Sequence, residues 1–179
     1  MDKAKNIVCA IVGASGGKFY GQTRLNKAFW RAHVIHYRKR NGLLSVYPIA
    51  RLPEGPAIDD FDELLVVLER EGRIKLGQRE HDDYIETTMT LQPGQPILDE
   101  DEMESIKEGV AWVEGKTAKQ VSRESHKLSL SWQNGANGDL LEIEFDALDV
   151  SEVDARKAEK EEITQTVEWA KKAVGGMFG

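Results

Sequence analysis

Apolar residues in this chain recur at helical spacing in short runs, and the runs end at glycine. Leu25, Phe29, Ala32 and His36 lie one turn apart, with Ala28 and Ile35 beside them, and Asn41-Gly42 closes the run. Phe61, Leu64, Leu65 and Leu68 form a second stripe that stops at Gly72, and Met103, Ile106, Val110 and Val113 a third that stops at Gly115. Ile163, Val167, Ala170 and Val174 mark a last helix from Ser151 to about Val174. Each stripe is buried only by packing on another element, so the helices must share a core. The starts carry capping residues: Thr23 for the 23–40 helix, Asp59 or Asp60 for the next, and Asp99 with Glu102 as a capping box. Thr117 caps a shorter helix reaching about His126.

Between the helices the chain reads as extended or looped. Ile7–Val12 fits a strand or a short buried helix, and periodicity does not separate the two. Leu43 to Leu52 is extended, and Pro53 and Pro56 enclose the loop LPEGP. Arg73–Gly77 and Tyr84–Leu91 are strands joined by the turn REHDD, with Ile85, Thr87, Met89 and Leu91 on one face. LLEIEF, at 140–145, reads as a strand or an extended arm. The expected fold is mainly α with minor β. A compact helical domain with a small β-hairpin covers 1–150, and a long C-terminal helix with a flexible tail covers 151–179.

The core must be apolar, because Cys9 is the only cysteine among 179 residues. That excludes an intramolecular disulfide and a cysteine zinc cluster, and it suits a reducing compartment. The net charge of −7 disfavours a fold-wide grip on phosphate backbones and suits a basic partner. No apolar run approaches the roughly 20 residues that a bilayer demands. The 7–12 run is followed by GASGGK and not by a small-residue cleavage pattern, so a cytoplasmic protein is expected.

Chemistry-bearing motifs fall short of their templates. VGASGGK lacks the GxGxxG spacing, and Phe19 follows Lys18 where a P-loop needs Ser or Thr for magnesium. His33 and His36 lie one turn apart, but no HExxH pattern supplies a third metal ligand. One of them packed and the other at the surface is the expectation. Asp82-Asp83 and the acids from Asp99 to Glu104 fit solvated turns and helix starts. No catalytic residue, metal or cofactor is therefore assigned.

The basic and aromatic helix is different. Arg24, Lys27, Trp30, Arg31, Tyr37 and Arg38 combine cations with rings of the kind that anchor protein interfaces, and an amphipathic helix with an ordinary wet face is the alternative. The segment GQTRLNKAFWRAHVIHYRKRNG, followed by IARLPEGPAIDDFDELLVVLEREGRI, resembles the Panacea antitoxin domain, also called SocA-like. Arg24-Leu25-Asn26-Lys27 with Phe29-Trp30 matches the family's first motif, and Gly55-Pro56 matches its second. Thr117, Val121, Ser125, His126 and Trp132 match its C-terminal part. Ala28 and Phe29-Trp30 stand where the family commonly has Leu-Leu-Tyr-Phe, and Ala57 where Val is usual. The likeness spans roughly residues 5–148.

The resemblance implies a mainly helical fold whose first segment is a helix. It implies an antitoxin of a bacterial or phage toxin–antitoxin system that neutralises a cognate toxin by direct binding. One branch of the family is a proteolytic adaptor that hands the toxin to a cytoplasmic protease. The expected partner-binding residues are Arg24, Lys27, Trp30, Arg31 and Tyr37, then Pro53, Gly55 and Pro56 of the LPEGP loop, and Trp169 on the last helix. A rigid turn that only sets the next helix is the alternative for LPEGP. Two other readings compete: a winged-helix DNA-binding regulator using the 60–72 helix and the 73–91 hairpin, and a small metal-dependent hydrolase.

Overall fold

A computed structural model describes residues 1–94 and 96–148 of the chain. Contacts divide the chain into two units, Met1–Ala147 and Leu148–Gly179. The expected C-terminal helix and its Trp169 lie outside the described residues.

The first unit is built around one central helix. α1 (Asp2–Ala14) leads through β1 (Lys18–Tyr20) into α2 (Gln22–Arg40). A hairpin of β2 (Ile49–Leu52) and β3 (Gly55–Ile58) precedes α3 (Phe61–Arg70), and a second hairpin joins β4 (Ile74–Glu80) to β5 (Ile85–Leu91). α4 (Glu100–Val113), α5 (Ala118–Leu128), α6 (Leu130–Asn134) and α7 (Ile143–Asp146) follow. β1 adds to the second hairpin in the order β1-β5-β4, all antiparallel, while β2 and β3 form a sheet of their own.

This corrects the mainly-α expectation. The described residues carry five strands in two antiparallel sheets, 18% strand beside 52% helix, so the fold is mixed α and β. The shortfall came from pairings that span the chain. Phe19 faces Met89 across the β1–β5 ladder, and a three-residue strand carries no periodicity of its own. Gly55-Pro56 opens β3, where glycine and proline in sequence signal a loop. LLEIEF errs in the other direction: only Leu140 bridges, to Ala50, and 143–146 is a helical turn.

α2 explains most of the core. It touches α1, α4, α5, α7, β1, β3 and β5, and it buries residues on every side, from Leu25 through Trp30 to Val34 and His36. Between Leu25 and His36 only Arg31 and Ile35 keep partial exposure, so the wet face over the middle turns is narrow. α4 comes closest, because Gly109 lacks a Cβ that would sit 2.7 Å from the Ala28 carbonyl oxygen. Thr23 does not cap α2. The N-cap is Gly21, and the far end stops at Asn41 in the left-handed region, φ 52°. Asp60 precedes α3 without a side-chain cap bond. Both expected caps on α4 and α5 are present: Asp99 and Glu102 bond reciprocally, and so do Thr117 and Gln120.

Candidate partner-binding site

Lys27, Gly55-Pro56, Ser125-His126 and Trp132 meet at one joint, where the β2–β3 hairpin is held between α2 and α5–α6. From α2, the Lys27 ammonium donates to the Pro56 carbonyl at 2.7 Å, and the Ile58 amide donates to Asn26 Oδ1 at 2.8 Å. Two neighbouring side chains thus satisfy the free edge of β3, which would otherwise carry unpaired backbone groups into the interior. On the other side, Gly55 adopts φ +100°, and a Cβ there would lie 2.5 Å from Ser125 Oγ and 3.0 Å from the His126 ring. Only glycine admits both that backbone and that approach.

Serines, a histidine and a tryptophan complete the joint. The Ser122 hydroxyl donates to the Glu54 carbonyl at 2.6 Å, and the Ser125 hydroxyl to the Ser122 carbonyl at 2.8 Å. His126 stacks on Trp132 with centroids 3.8 Å apart and planes 6° from parallel. Trp132 donates Nε1 to the Leu52 carbonyl, while Arg51 covers its ring at 4.3 Å and donates Nε to its carbonyl. Burial pulls the Lys27 ammonium down to about 7, with the Glu54 charge acting against that pull. Burial, helped by the Lys27 charge, also lowers His126.

The expected partner-binding set is thereby divided. Trp30 is fully buried, and its Nε1 donates to Asp146 Oδ2 at 2.8 Å. Asp146, itself buried, also accepts from the Ser129 hydroxyl and from the amide and hydroxyl of Ser131. Lys27 is 1% exposed, and Gly55 and Pro56 are buried. All four are buried in the folded chain, where the sequence reading expected surface contacts. Tyr37 packs partly buried against the core, and Pro53 is exposed at the turn of the β2–β3 hairpin.

Arg24 and Arg31 remain half-exposed on α2. Arg24 lies over Phe19 at 5.6 Å; Arg31 lies over Trp112 at 5.6 Å, with Lys116 over the same ring at 4.7 Å. Neither Nε has a hydrogen-bond partner among the described residues. Burial lowers Arg31, and so does the charge of Arg38.

Neither histidine of α2 is at the surface, against the expectation for one of them. His33 donates Nδ1–H to the Phe29 carbonyl and accepts from the Ser45 hydroxyl at Nε2, both at 2.9 Å. Burial holds it neutral, down to about 4. His36 bonds Ser105, and no group of three His, Cys, Asp or Glu side chains among the described residues could hold a metal ion.

Sequence reasoning missed the surface that His33 supports. Ser45 belongs to the segment between α2 and β2, which meets the chain entering α7 in a groove of about 210 Å³. Its lining includes Leu43, Val46, Tyr47, Leu140, Ile143 and Glu144. Val46 is 90% exposed, Leu140 61% and Leu43 42%. The signal lies in the apolar residues of LLSVYP, whose pattern by itself indicates only extended chain.

The features expected of a winged helix are present in outline, a helix followed by a hairpin. Yet the exposed face of α3 carries Asp62, Glu63 and Glu69 beside Arg70, and the hairpin turn carries Asp82 and Asp83. Such surfaces repel phosphate. Among the described residues no helix is long and apolar enough to cross a membrane. Comparisons with protein-family models, with curated proteins and with solved structures find no match.

Proposed function

We propose that this chain is an antitoxin that neutralises a cognate toxin by gripping it directly, a cytoplasmic binding protein and not an enzyme. The observation that supports the reading is the joint at Gly55. Lys27, Gly55-Pro56, Ser125-His126 and Trp132, part of the set that carries the Panacea resemblance, come from separate stretches of sequence, and their contacts form one unit. A motif that recurs because it maintains a fold should cohere in this way. The same joint reassigns its residues, which hold the fold that presents a binding surface and do not themselves touch the toxin. In the adaptor version of the reading, the bound toxin passes to a cytoplasmic protease.

The test is genetic. The reading frame adjacent to this one, expressed alone, should arrest growth, and co-expression of this chain should restore it. An adjacent product that is harmless, or an arrest that this chain leaves in place, overturns the proposal.

A further inference from the structure

We propose that the groove between residues 43–49 and 140–144 is the docking surface for a basic, amphipathic segment of the partner protein. This deepens the antitoxin reading and rests on it for the partner's role.

Three observations select the surface and its occupant. Val46, Leu140 and Leu43 present large apolar side chains to water in one lined depression, and such clusters mark protein interaction sites. The surface is held in shape from behind. His33 receives the Ser45 hydroxyl, the Tyr47 amide donates to Ser45 Oγ, and the Leu141 amide donates to the Ile49 carbonyl at 2.7 Å. A prearranged groove spares the ordering cost that a flexible loop would add on binding.

Among the described residues the charged side chains in the lining and exposed next to it in sequence are acidic: Glu144 is the one charged residue in the lining, and Glu142 is exposed beside it. On the Tyr47 side, the Asp59 amide donates to the carbonyl of Pro48 in the lining, and burial raises the Tyr47 phenol with the charges of Asp60, Asp59 and Glu63 adding to it. Arg38 approaches the end of α7 and donates to the Asp146 and Ala147 carbonyls. An apolar floor with an acidic rim matches a segment whose apolar side chains are flanked by Lys or Arg, and the same acids repel nucleic acid.

The experiment presents the full-length chain to a display library of random peptides, with Val46→Asp/Leu140→Asp as the counter-selecting protein. Both side chains are exposed, so circular dichroism and melting temperature should match the wild type. Peptides that survive should carry net positive charge with at least two large apolar residues. They should lose about tenfold or more in affinity on the double variant. Glu63→Lys/Glu144→Lys should slow their association severalfold while dissociation changes little. Survivors that are neutral or acidic, survivors that bind the double variant equally, or no groove-dependent survivors overturn the inference. So does a wild-type dimer that the double variant makes monomeric, which would give the groove to a second copy. Growth rescue that persists in Val46→Asp/Leu140→Asp sinks the groove alone, whereas a harmless adjacent gene beside groove-dependent basic peptides sinks the antitoxin reading alone.

Discussion

Replacing Gly55 by alanine should be among the most damaging small changes available to this chain, and the cost has two separable parts. The first is backbone strain. At φ +100° an L side chain costs about 1–2 kcal/mol. The second is collision. The new Cβ falls 2.5 Å from Ser125 Oγ and 3.0 Å from His126 Cδ2. Neither neighbour has room to withdraw, since Ser125 is fully buried and bonded to the Ser122 carbonyl, and His126 is stacked on Trp132. Overpacking of that kind costs about 1–3 kcal/mol, giving about 2–5 kcal/mol in all. Gly16 is the control. Its φ of +81° carries similar strain, but a Cβ there meets nothing within 4 Å. Any stabilisation from a stiffer unfolded chain is common to both variants. Urea denaturation followed by circular dichroism should therefore place Gly55→Ala about 1–3 kcal/mol below Gly16→Ala. Equal losses would mean that α5 does not press on the hairpin at Gly55, and the joint would be wrongly drawn.

Three further outcomes are expected. Lys27 titrates near 7 when folded and near 10.5 when unfolded, so the unfolded chain binds more protons between those values and stability rises with pH there. Relative to Lys27→Met, the wild type should gain about 2 kcal/mol from pH 7 to 9 in urea titrations, and parallel curves would contradict the buried ammonium. Trp30→Phe strips one donor from Asp146 and leaves part of the indole's space empty, so it should cost at least about 1–3 kcal/mol of stability and leave peptide affinity at the groove unchanged. A fall in affinity with stability intact would restore Trp30 as a contact. His33, lowered from 6.5 to about 4, contributes stability that is complete above pH 6.5 and lost as pH falls toward 4. Imidazole nitrogen NMR should show an Nδ1–H tautomer that persists at pH 5, and an imidazolium at pH 6 would refute the Ser45 bond.

Local signals were legible wherever one element determined its own ends. The capping box at Asp99, the cap at Thr117, the stop at Asn41 and the β4–β5 hairpin all follow from chemistry within a few residues. What escaped depended on distant partners. β1 exists because β5, about 70 residues later, offers it a ladder. β3 exists because Asn26 and Lys27 supply the bonds that a strand opening Gly-Pro lacks. The site suffered for the same reason. Trp30 and Lys27 looked like the wet face of an amphipathic helix, but α2 is enclosed by β3, α5 and α7 on the sides that its own periodicity leaves polar. Their polar atoms face Asp146 and Pro56, partners 116 and 29 residues away. The groove was hidden because exposure of Val46 and Leu140 follows from tertiary packing alone.

Recognition without turnover is the claim on which the rest depends, and calorimetry on purified proteins tests it most directly. Titrating the adjacent gene's product with this chain should release heat that saturates at a fixed stoichiometry, with at least tenfold weaker binding for Val46→Asp/Leu140→Asp. Growth rescue with no detectable complex, or a toxin left chemically altered after substoichiometric exposure to this chain, would contradict it.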